Sequence, residues 1–202
     1  NTLAFLGESY VASYGEDSLM SRSSVASNLL SSEKLGRVLM DSSEPRIIEN
    51  GADLTLEEGL EARIYVDQSC SKALIELYGG GELIDRDYIG LPNTYIYKKG
   101  LAGIDEIAIL AIHISDPKCA PKKSCLVDGI FQMSEELVDV RVDRPFGNMR
   151  ISSVSSDTIT MDNKDKTIFL SKNVDTVLAG NYHIKAIEGD TLRYYVFKPI
   201  ST

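Results

Sequence analysis

The chain has 202 residues, with 30 acidic and 21 basic side chains and a formal net charge of −9. Such a surface repels phosphate backbones and anionic lipid heads, so neither nucleic acid nor a peripheral membrane contact is expected. Hydrophobic residues at 43% and charged residues at 25% argue against global disorder, and no run approaches the roughly 18 apolar residues of a spanning helix. The length holds one large domain or two small ones. Ile, Leu and Val dominate the apolar residues, alongside ten Tyr and no Trp, which suits a pleated, half-buried surface.

The first forty-odd residues are distinct. Eleven serines precede Glu44, and Gly15-Glu16-Asp17-Ser18 and Ser21-Arg22-Ser23-Ser24 break any long period. Leu3–Leu6 and Tyr10–Ala12 are short apolar pieces, and a weak turn of helix is expected near Val25–Leu30. The segment is too apolar at its start for a free tail and is expected to lie along the domain body. The sequence starts at Asn1 without a charged-then-apolar leader, so a mature or excised fragment is expected, with any anchor outside it.

From Leu35 short strands alternate with turns: Arg37–Met40, Arg46–Ile48, Leu54–Leu56, Glu61–Val66 and Lys72–Tyr78. Gly79-Gly80-Gly81 permits the positive φ values of a tight reversal into Glu82–Ile89. Thr94–Tyr97, Glu106–Ile114, Leu126–Met133 and Leu137–Val142 follow. The apolar run Ile107–Ile112 reads as a buried strand. The last third predicts strands at Met149–Val154, Thr158–Met161, Thr167–Leu170, Tyr182–Ile187 and Leu192–Phe197.

Strands at such spacing, with polar turns between them, mark β-sandwiches or barrels. The expected fold is all-β, two β-sandwich subdomains joined by a short hinge, with little helix. Asp143-Arg144-Pro145 ends the alternation of Leu137–Val142, and Pro cannot serve a central ladder, so the hinge is placed near Leu137–Pro145. Residues 1–136 are expected to form the larger N-terminal sandwich with its Ser-rich segment, and 137–202 the smaller C-terminal one.

Cys119 and Cys125 flank a Pro-, Lys- and Ser-rich loop between two strand-like segments. They are the candidate disulfide, closing a hairpin mouth in an oxidising exterior; two unpaired thiols are the alternative, and Cys70 is left over either way. No zinc site is expected, because His113 and His183 lack ligand spacing to a cysteine.

No catalytic constellation emerges. His113 lies in an apolar strand and His183 in an alternating one, and no Gly-x-Ser-x-Gly elbow occurs. Gly79–Gly81 precedes a strand rather than a helix, so it does not read as a phosphate cradle. Glu57-Glu58 and Asp85 with Asp87 are the carboxylate pairs available to a glycosidase, and solvated turn charges are the favoured reading. Asp162-Asn163-Lys164-Asp165 lacks EF-hand spacing and reads as an Asx-rich turn. No catalytic residue, metal ligand or cofactor site is assigned.

The stretch Arg144-Pro-Phe-Gly-Asn-Met-Arg-Ile-Ser-Ser-Val-Ser155 with Thr158-Ile-Thr-Met161 is hairpin grammar, alternating on both sides of a turn. It resembles the duplication domain of archaeal (methanogen) surface-layer proteins, and further phrases continue the resemblance in order. They are Phe5-Leu-Gly-Glu-Ser-Tyr10 with Ala12 and Tyr14-Gly15, Arg37-Val-Leu-Met-Asp41 and Leu54-Thr-Leu-Glu-Glu-Gly-Leu60. Tyr95-Ile-Tyr-Lys-Lys99, Val127-Asp-Gly-Ile-Phe-Gln132, Phe146-Gly-Asn-Met149 and Asp190-Thr-Leu-Arg-Tyr-Tyr-Val-Phe197 complete them.

The resemblance implies a domain of two β-sandwiches, often in tandem copies followed by a stalk and a membrane anchor. It further implies self-association into a porous two-dimensional S-layer lattice outside the cell. The chain departs from such layers in having no Asn-x-Ser/Thr acceptor. Divalent cations bridging acidic neighbours are compatible with the charge, but no residues locate them. Edge charges such as Lys98-Lys99 or Asp85-Arg86-Asp87 suit exposed sheet edges. The rival reading is a cell-surface adhesin or carbohydrate-binding sandwich, using Tyr95 with Tyr97 or Tyr194 with Tyr195 as stacking platforms. A secreted hydrolase ranks third.

Overall fold

The structure, a computed structural model, describes residues 2–14, 28–164, 166–189 and 191–199. The expected loops at 15–18 and 21–24, the first part of the helical turn near Val25–Leu30, and Asp165 and Asp190 lie outside these. Among the described residues are seventeen strands and two 3-10 turns. The strands are β1 (Thr2–Phe5), β2 (Glu8–Val11), β3 (Lys34–Ser42), β4 (Arg46–Glu49), β5 (Asp53–Thr55) and β6 (Leu60–Val66). Next come β7 (Lys72–Gly79), β8 (Glu82–Gly90), β9 (Asn93–Leu101), β10 (Ile104–Lys118) and β11 (Ser124–Asp139). Last are β12 (Pro145–Phe146), β13 (Met149–Val154), β14 (Ile159–Asp162), β15 (Asp175–Ala179), β16 (Tyr182–Ile187) and β17 (Arg193–Phe197). The all-β class is therefore what this chain adopts.

Two compact units divide the chain. One comprises Asn1–Ser13, Asn28–Gly36 and Val138–Thr202; the other comprises Tyr14–Ser27 and Arg37–Leu137. The segments around Phe5 and Leu35 group with the C-terminal residues in this division. The physical reason is burial: Phe5, Tyr10, Leu30 and Leu35 share one core with Val140 and Ile151. The reading of Leu137–Val142 as a separate strand is corrected, because its first residues continue β11, a single strand of 16 residues.

In the larger unit, β5-β6-β7-β8 form an antiparallel sheet, and β11, β10 and β9 pair antiparallel with β4 on the start of β11. Period-two alternation builds the core between them. Ala62, Ile64 and Val66 of β6 and Ala73, Ile75 and Leu77 of β7 point inward, while Arg63 and Tyr78 stay on the outer face. Leu110, Ile112, Ile114, Val127 and Ile130 supply the other half of that core. Truncating one such buried Ile to Ala typically costs about 2–5 kcal/mol. The run Ile107–Ile112 is buried on both faces: Ala108 and Ala111 pack with Tyr14, Ile96 and Phe131. Gly80 and Gly81 make the β7–β8 reversal at φ +60° and +86°, the two-residue turn that twisted hairpins favour.

Cys70 and Cys119 form the disulfide, with Cα atoms 5.9 Å apart, and Cys125 is a free, buried thiol. The expected Cys119–Cys125 bridge is therefore corrected. The hairpin pairs Lys118 with Ser124, whereas Cys125 sits in register with Ile48 of β4 and turns into the core beside Val127. Burial pushes the Cys125 thiol up to about 11, which keeps it an inert, protonated core residue. Cys70 reaches Cys119 from the β6–β7 loop. Asp67 shapes that loop by accepting from the Ser69 hydroxyl at 2.6 Å and from the Ser71 and Lys72 amides.

The smaller unit holds the β1–β2 hairpin and two three-stranded sheets, β12-β13-β14 and β15-β16-β17. Two elements differ from expectation here. Thr167–Leu170 is irregular and Phe169 is 81% exposed, while Asp175–Ala179, not expected as a strand, forms β15. An apolar run without alternation fits an exposed loop badly on composition, but the ladder partner of β16 is taken by Asp175–Ala179.

Candidate functional site

The residues singled out for chemistry are each engaged structurally. His113 leaves the apolar strand on the outer face, and its Nδ1 meets Asp128 Oδ1; Ser115 Oγ donates to the other oxygen of that carboxylate at 2.7 Å. Burial pushes the Asp128 carboxyl up, but the hydrogen bonds from His113 and Ser115 outweigh it and hold the carboxyl below its ordinary range. The Ser115 hydroxyl donates to the carboxylate, and His113 meets the other oxygen of the same carboxylate, which is not the Ser–His–Asp chain of a nucleophilic triad. His183 packs its ring on Phe197 at 5.7 Å, with Nδ1 shielded and without a hydrogen-bond partner.

The carboxylate pairs do not converge. Glu57 is held by its backbone, whose amide donates to Gln132 Oε1 and whose carbonyl accepts from Gln132 Nε2, both at 2.9 Å. Glu58 accepts from the Ser134 hydroxyl at 3.0 Å and pairs with Arg37. Asp85 accepts from the Tyr95 hydroxyl, and Asp87 accepts from the Tyr88 amide at 2.8 Å. Asp162 pairs with Lys164 and accepts from its amide, an Asx-type turn. Among the described residues no group of three or more His, Cys, Asp or Glu side chains could hold a metal ion.

One proposed aromatic platform is a core element. Tyr95 is 1% exposed, and burial together with the Asp85 hydrogen bond pushes its phenol well above the ordinary range. Tyr97 packs partly buried against the same core. Tyr194 and Tyr195 differ: they stand on opposite faces of β17 and are 61% and 43% exposed.

The phrases at Arg37–Asp41, Leu54–Leu60, Tyr95–Lys99 and Val127–Gln132 fall in the larger unit, and those at Phe5–Tyr10 and Phe146–Met149 in the smaller one. Gly147, at φ +68°, brings the β12–β13 turn so close to β15 that a Cβ would sit 3.1 Å from Val177 Cγ1 and 3.2 Å from the Leu178 carbonyl. Asn148 then donates its amide N–H to Leu178 O at 3.0 Å and its side-chain N–H to Val177 O, closing the β15 edge. The opening phrase turns at Leu6-Gly7, where Lys198 Nζ donates to Gly7 O at 3.0 Å and pairs with Glu8 at 3.1 Å. Residues near the start, middle and end of the sequence thus meet around one small sheet. Only the Gly and Asn of Phe146-Gly-Asn-Met149 signalled this contact, and they signalled a turn rather than an edge cap. The role of Cys70 carried no local signal at all.

A disulfide joining two loops of the larger unit suits a protein that folds and persists in an oxidising, extracytoplasmic environment. The chain belongs to the S-layer protein family, whose sequence profile matches residues 1–188. That membership places it at the cell surface, outside the cell. It is similar to the Major S-layer protein of Methanosarcina mazei, 25% identical over 178 residues that cover 84% of this chain and 26% of the relative. It is equally similar to the Major S-layer protein of Methanosarcina acetivorans, 25% identical over 181 residues, 84% of this chain and 27% of the relative. The chain thus spans about a quarter of the length of these relatives.

Proposed function

We propose that this chain is a structural segment of a surface-layer lattice, self-associating into a porous acidic sheet, and that it is not an enzyme. The observation that carries the reading is the family match along residues 1–188. Carboxylates held by neighbouring hydroxyls, such as Asp128 by Ser115, Glu58 by Ser134 and Asp85 by Tyr95, support a load-bearing role. Passage through such a sheet would depend on pore diameter and on the surplus of Asp and Glu at its gaps. The two compact units serve as its two domains, attachment to the membrane comes through an anchor outside this chain, and nucleic acid is not a partner. Divalent cations bridging acidic neighbours fit the net charge of −9 without a located site.

The test is to label intact source cells with an antibody to this segment and image the envelope by electron microscopy. Dense label following a periodic array supports the reading; sparse label, or label off the array, overturns it. The exposed Tyr194 and Tyr195 favour one alternative, a carbohydrate-binding surface protein. Binding to a glycan array that Tyr194→Ala abolishes would establish that alternative.

A further inference from the structure

Three strand edges in this molecule are treated differently. The outer strand β8 carries Asp85, Arg86 and Asp87, and Asp87 occupies the Tyr88 amide. That is a guarded edge, charged and partly self-satisfied. The β15 edge is closed by Asn148. The β17 edge has neither device. No further strand pairs with β17 among the described residues. Its sequence Arg193-Tyr-Tyr-Val-Phe197 has one charge, no Pro and no Gly, and Leu192, Tyr194 and Val196 are 77%, 61% and 49% exposed. An open edge of this composition is a template for another strand.

Charge selects the occupant. Copies with a net charge of −9 repel one another over most of their surface. Residues 191–199 hold Arg193 and Lys198 and no acid, and Lys198 is already neutralised by Glu8. The acids beside this strip, Glu8 and Asp175, are paired with Lys198 and Lys185, so identical copies approach here with those carboxylates already neutralised.

We propose that β17 pairs antiparallel with β17 of a second copy, about a two-fold axis at Tyr195, joining two three-stranded sheets into one of six. The same strand serves on both sides, the isologous arrangement commonest among oligomers. In this register Tyr195 faces Tyr195 of the second copy, Tyr194 faces Val196, and Arg193 faces the Phe197 ring. Aromatic with β-branched and cation with aromatic are favourable cross-strand pairs. The two Arg193 side chains lie four residues apart along the ladder, about 14 Å, beyond a Debye length of about 8 Å at physiological salt. The inference deepens the structural-subunit reading by naming where copies meet, and rests on that reading for its role at the cell surface.

The experiment is sedimentation equilibrium of the 202-residue chain from micromolar to near-millimolar concentration, with Tyr195→Glu and Tyr195→Lys. The expected result is a reversible dimer, weakened about tenfold or more in each variant, since like charges then face each other directly. An equimolar mixture of the two variants regains dimerisation as a mixed pair, which also shows that both are folded. A monomeric wild type overturns the proposal, as does a dimer indifferent to both charges. Weakening without rescue on mixing overturns the two-fold register and leaves another segment of the longer polypeptide as the occupant. Loss of the lattice reading by immunolabelling would leave this dimer standing, so the two failures are distinguishable.

Discussion

Asn148 and Val177 hold the smaller unit's two sheets in contact: the Asn148 side-chain amide donates to the Val177 carbonyl while its backbone N–H donates to Leu178 O at 3.0 Å. Asn148→Ala removes one of these bonds and should lower stability by about 1 kcal/mol. Gly147→Ala should cost more, about 1–3 kcal/mol, because the Cβ meets Val177 Cγ1 and a carbonyl at a positive φ. Urea midpoints of the two variants check the order.

Gln132 is 1% exposed and satisfies both the N–H and the C=O of Glu57. Gln132→Leu keeps much of the volume but leaves both backbone groups without these partners. A loss of about 2–4 kcal/mol is expected, read as a lowered urea midpoint at unchanged slope.

Asp128 links stability to pH. Its folded carboxyl lies below the ordinary range because the His113 and Ser115 hydrogen bonds outweigh burial. A carboxyl with a depressed folded value stabilises fully above its unfolded value of about 3.9, and that contribution fades as pH falls through the folded value. Asp128→Asn should therefore be less stable than wild type at pH 7 by about 1 kcal/mol. The gap should narrow steadily below about pH 4. Thermal unfolding across that range checks the sign; a gap that widens in acid refutes it.

Cys70 and Cys119 close a loop with a sequence separation of 49. Cys70→Ser should destabilise by roughly 2–4 kcal/mol, in the loop-entropy account. Peptide mapping without reductant should show Cys70 joined to Cys119. Cys125 should be alkylated only after denaturation, since it is 2% exposed.

Much of the fold was readable along the chain because its determinants are local. Alternation at Glu61–Val66 and Lys72–Tyr78 set two core strands, and Gly80-Gly81 set the reversal after them. The edge placement of Asp85-Arg86-Asp87 followed from charge alone. The disulfide was misread because Cys125 and Cys119 are near in sequence, whereas bridging depends on which face each thiol occupies. The strand at Asp175–Ala179 was missed since its alternation is short and begins on Asp, and only β16 supplies its partner. Residues 28–36 join the C-terminal unit through Leu30 and Leu35, a contact no periodicity encodes.

A covalent tie also has a mechanical meaning. When tension is applied along the polypeptide, a bridged loop cannot be paid out; the bond carries the load past it. The segment between Cys70 and Cys119, separated by 49 positions, contains β7, β8, β9 and β10, which carry half of the larger core's buried residues. Roughly 170 Å of extension is withheld from any pull on the ends. Tension on the two ends extends the polypeptide on either side of the bridge, while the residues between the two cysteines stay out of the line of load until the sulfurs are reduced.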